Sequence, residues 1–64
     1  MWTTVYIASG KDWAEEVENR LSYEGFIVKT RFFAMEGNKE LYEILAPSFE
    51  AEDIQSMLTE LGIM

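Results

Sequence analysis

Sixty-four residues with a net charge of −7, no cysteine and no histidine exclude disulfides, thiolate or imidazole metal ligation, and the usual nucleophile–base pairs of hydrolases. Hydrophobic residues make up 48% of the chain and aromatics 14%, too rich for intrinsic disorder, so residues 1–64 are expected to fold as one small domain. Twelve acidic against five basic side chains repel phosphate backbones and anionic lipid, which argues against nucleic acid and membrane as partners.

The opening residues lack the basic segment and longer apolar run of a signal peptide, and no stretch approaches the roughly 20 apolar residues of a membrane span. A cytoplasmic location is expected on those grounds.

Residues 2–8 read as a first strand, because Thr3, Val5 and Ile7 alternate with Trp2, Thr4 and Tyr6, all β-branched or aromatic. Ser9 is then placed as an N-cap, with Asp12 three residues on. The following helix buries Trp13, Val17 and Leu21, with Ala14 beside them, and Gly25 ends it. Phe26 to Ala34 form a second strand, Met35 to Lys39 a hairpin loop, and Glu40 to Ala46 a third strand. Pro47 stops that strand, and Ser48 is expected to cap a last helix whose apolar stripe is Ala51, Ile54, Met57, Leu58 and Leu61, with Gly62 as its stop.

The order is βαββα, an α+β chain. Economical packing is two layers: a three-stranded sheet of order 1-3-2 with both helices on one face, a ferredoxin-like fold lacking its last strand. Cross-strand parity then places Arg31 opposite Glu43, Phe32 opposite Tyr42 and Phe33 opposite Leu41.

Strict alternation also assigns the sheet's two faces. With Val5 and Ile7 toward the helices, Trp2, Thr4, Tyr6 and Ala8 point away from them. On the second strand the charges of Lys29 and Arg31 put Ile27 and Phe33 on that outer side, and on the third Leu41, Glu43 and Leu45 join them. The helix-free face is thus expected to carry Trp2, Tyr6, Ile27, Phe33, Leu41 and Leu45 as a protein-interaction patch, larger than a monomer ordinarily leaves open. The competing expectation is that the Lys29 and Arg31 stems cover it and pair with Glu43.

The segments Trp2-Thr3-Thr4-Val5-Tyr6-Ile7-Ala8, Glu24-Gly25-Phe26-Ile27-Val28-Lys29-Thr30-Arg31 and Tyr42-Glu43-Ile44-Leu45-Ala46-Pro47, in that order, resemble a family of small bacterial proteins of unknown function labelled as signal-transducing. The resemblance covers nearly the whole chain. It implies regulation rather than catalysis and carries no catalytic residues to transfer. The short loop at Met35 to Lys39 departs from relatives with longer connections there.

Carboxylates are the only catalytic or metal-binding chemistry left. Asp12, Glu15 and Glu16 cluster on the first helix, and Glu50, Glu52 and Asp53 on the second. A calcium site needs six or more oxygens from a shaped loop, and an acid–base pair needs a cleft, so both clusters read as solvated faces. The expectation is a non-enzymatic protein-interaction or regulatory module without cofactor or metal. Its partner is a second copy, through the open sheet face or the edge strand 2–8, or another protein. Edge pairing is expected because residues 2–8 contain no charge, proline or glycine. The alternative is a small-molecule sensor holding a metabolite at a dimer seam.

Overall fold

A computed structural model describes Met1–Met64 in full. The elements are β1 (Trp2–Ser9), α1 (Lys11–Tyr23), β2 (Lys29–Glu36), β3 (Lys39–Pro47), a 3₁₀ turn at Ser48–Glu50, and α2 (Ala51–Glu60). The sheet order is β1-β3-β2, with both neighbours of β3 antiparallel to it. This is the expected α+β arrangement, a βαββα fold of ferredoxin-like type without the last strand.

Why the helices lie where they do follows from their apolar stripes. Ala14, Val17 and Leu21 recur at helical spacing on α1, Ile54 and Leu58 on α2, and all five are fully buried. They meet Val5 and Ala8 of β1 and Ile44 and Ala46 of β3 in one core. Each large aliphatic side chain removed from water there contributes about 1.5–3 kcal/mol. The edge strand β2 supplies none of the fully buried residues; Thr30 instead donates to Glu18 of α1 at 2.6 Å.

Both helices stop by the same device. At the end of α1, Phe26 N–H bonds to Leu21 O and Gly25 N–H to Ser22 O; at the end of α2, Ile63 N–H bonds to Leu58 O and Gly62 N–H to Thr59 O. This paired pattern requires a left-handed residue, and Gly25 (φ 96°) and Gly62 (φ 77°) provide it.

The helix starts differ from expectation. Ser9 remains in β1, Gly10 is the N-cap of α1, and no side chain caps it. Ser48 opens the 3₁₀ turn rather than capping α2, and its Oγ donates to Met1 O at 2.9 Å, tying the chain's start to the end of β3. Phe26 to Val28 lie outside β2, because the turn after α1 uses Phe26 N–H and delays the strand. The hairpin loop shrinks to Gly37 and Asn38, with Glu36 paired to Lys39 across it.

The ladder departs from strict alternation twice. In β1 the pairing steps from Thr4↔Leu45 to Tyr6↔Ile44, leaving Val5 as the extra residue of a β-bulge. In β2 it steps from Phe32↔Tyr42 to Ala34↔Leu41, leaving Phe33 extra. Arg31↔Glu43 and Phe32↔Tyr42 are paired as parity requires, whereas Ala34 takes the place opposite Leu41 expected for Phe33. No helix is long and apolar enough to cross a membrane.

Candidate functional site: the helix-free face of the sheet

The bulge at Val5 reverses the facing of the second half of β1. Val5 and Tyr6 both turn to the helices, Ile7 turns away, and Ala8 returns to the core with no exposed surface. Tyr6 is fixed on the helix side by its hydroxyl, which accepts from Trp13 Nε1 at 3.1 Å. The placement of Tyr6 and Ala8 on the outer face and of Ile7 inside is therefore corrected. Period-2 reasoning assumes one residue per pair, and a single inserted residue inverts everything beyond it.

Across β3 the helix-free face now reads in rows. Thr4, Leu45 and Lys29 form one, Ile7, Glu43 and Arg31 the next, and Ser9, Leu41 and Ala34 the third. Trp2 lies opposite Pro47 at one end. Alternation from Arg31 brings Phe33 out beside Ala34, as both Val5 and Tyr6 turn in at the other bulge.

Glu43 stands at the centre, 9% exposed, on a strand flanked on both sides. Thr4 Oγ1 donates to its Oε2 at 2.6 Å, and Arg31 donates to Oε1 from Nε at 3.0 Å and from Nη2 at 2.8 Å. The hydrogen bond from Thr4, then that from Arg31, holds the Glu43 carboxyl below the usual carboxylate range against the opposing effect of burial. The three strands are thus bridged by one carboxylate. A second bridge crosses β3 at the level of Leu45 and Pro47, where Lys29 Nζ sits 4.1 Å from the centre of the Trp2 ring.

These bridges decide what the face offers. Leu45 is only 6% exposed, and Leu41 is half-buried between Ser9 and Ala34. Ile27 is 64% exposed but sits in the connection before β2, beside the sheet rather than on it. Of the six residues expected on the patch, the structure keeps Trp2 and Phe33 exposed on the face, 41% and 53%, and adds Ile7 at 41%. Ile7 was missed because Val5, Tyr6 and Ile7 suit either side of a strand equally, so residue type carries no sign of the bulge.

The β1 edge is less open than its composition implies. A bulge is itself a device against edge pairing, and Gln55 Nε2 of α2 reaches the bulge carbonyl of Val5 at 3.3 Å.

Comparisons with protein-family models, curated proteins and solved structures give no match.

Elsewhere, a shallow groove of about 560 Å³ runs along α1 to Leu61, lined by Asp12, Glu15, Glu16, Arg20 and Tyr23. Arg20 pairs with Glu16 across one helical turn at 3.7 Å, and the acids do not converge into a metal-ligand set. Phe49, in the 3₁₀ turn before α2, is exposed.

Proposed function

We propose that this chain is a non-enzymatic protein-interaction or regulatory module that works through the helix-free face of its sheet. The observation that supports this reading is the exposure of Trp2, Ile7 and Phe33 on a face whose central acid is already satisfied by Thr4 and Arg31. Burying that face would strand no unpaired charge at its middle, which is the usual obstacle to covering a polar sheet surface. The regulatory half of the reading rests on the resemblance to the signal-transducing family, carried by β1, the α1–β2 connection and the end of β3.

Native mass spectrometry of the untagged protein taken from its own cells tests the proposal. A protein bound to the chain, whether a second copy or another, is the expected result. A chain carrying only a small molecule overturns it in favour of a metabolite sensor.

A further inference from the structure

The charges of this protein are not spread evenly between its layers. The helices, with Glu24 and the 3₁₀ turn, carry nine acids and two bases, whereas the strands carry three of each. The sheet layer is therefore neutral, and the whole net charge of −7 lies on the helix side. The molecule measures only 32 × 25 × 16 Å, so an interface of standard size, about 800 Å² from each partner, would need one of its broad sides.

We propose that the occupant of the helix-free face is a second copy of this chain, packed sheet against sheet with both helix layers outward. This rests on the interaction-module reading above and names its partner. Sheets stacked face to face lie about 10 Å apart, and the acidic layers lie beyond both sheets, farther from each other than the Debye length of about 8 Å at physiological salt. Contact through the helices would instead press two acidic surfaces together.

The charge pattern within the face also selects the symmetry. Of its cations, Lys29 and Arg31 lie on β2 and Lys39 of β3 stands opposite Glu36 at the hairpin end, whereas β1 has no charged residue. A two-fold axis parallel to the strands lays β1 of each copy over β2 of the other, so that Trp2 and Ile7 meet the partner copy's cationic, aromatic strand. An axis across the strands would stack Lys29 and Arg31 on their own counterparts. Joining two β1 edges would require displacing Gln55 from Val5 O and straightening a bulge.

The chain has no cysteine, so introduced thiols report the geometry without background. Sedimentation equilibrium of the wild type at high micromolar concentration in physiological salt should give a dimer, weakened at least tenfold by Ile7→Lys and likewise by Phe33→Lys, with circular dichroism confirming that both fold. Under mild oxidation, Ile7→Cys mixed with Arg31→Cys, which share a row across β3, should form a mixed disulfide, while Ile7→Cys alone and Thr4→Cys alone stay reduced. Homodisulfides through Thr4→Cys or Ile7→Cys would overturn the arrangement but leave a self-associating module. A monomeric wild type would overturn the second copy as occupant, and native mass spectrometry would still decide whether another protein binds.

Discussion

On one side of β3, Ile44 and Ala46 are fully buried among helix residues; on the other side of the same strand, Glu43 and Leu45 reach nearly the same burial by other means. The helix side is dry and depends on apolar area and close packing. The opposite side is closed by two polar bridges, Thr4 and Arg31 on Glu43 and Lys29 on Trp2. A thin sheet can therefore protect a face that no helix covers, but only at its centre, and the apolar residues left at the margins belong to the edge strands: Trp2 and Ile7 on β1 and Phe33 on β2.

The contrast predicts unequal costs on the two sides. The largest is expected for Leu58→Ala, which empties a fully buried site between α2 and the sheet. Denaturant melts should show a loss of about 2–5 kcal/mol. A loss below about 1 kcal/mol, the scale of surface substitutions, would mean that α2 does not pack as described.

Tyr6→Phe should cost less, about 0.5–1.5 kcal/mol, the worth of one hydrogen bond, because it removes only the acceptor for Trp13 Nε1. A neutral result would return Tyr6 to the outer side of β1 and remove the bulge from the account.

On the helix-free side, Glu43→Gln should matter through its dependence on pH. The folded-state pKa of Glu43 is lowered, so the carboxylate's contribution is fully present above its unfolded pKa and is lost as pH falls through the folded value. The stability gap between wild type and variant should therefore be widest near neutrality and close on acidification. A gap that does not change with pH would show that the pairing with Thr4 and Arg31 adds nothing in solution.

Much of this could be read from residue order. The helix stripes, the glycine stops, the strand order and the pairing of Arg31 with Glu43 all follow from periodicity and parity. The facing of Tyr6, Ile7 and Ala8 did not, because a bulge is chosen by how the strand fits beneath the helices. Here Ala8 has no exposed surface and Trp13 reaches Tyr6, and both are long-range consequences of packing α1 on β1. Leu45 was misjudged for a related reason: alternation gives the side on which a residue lies but not whether neighbours such as Lys29 and Trp2 close over it.

The inverted facing of β1 and the self-association of the face it creates meet in one measurement, the rate of thiol modification of Ile7→Cys and Ala8→Cys as a function of protein concentration. Ile7→Cys should react quickly when dilute and more slowly as concentration rises, while Ala8→Cys is protected throughout. Fast reaction at Ala8→Cys with protection at Ile7→Cys in dilute solution would contradict the bulge, and an Ile7→Cys rate independent of concentration would contradict the paired face.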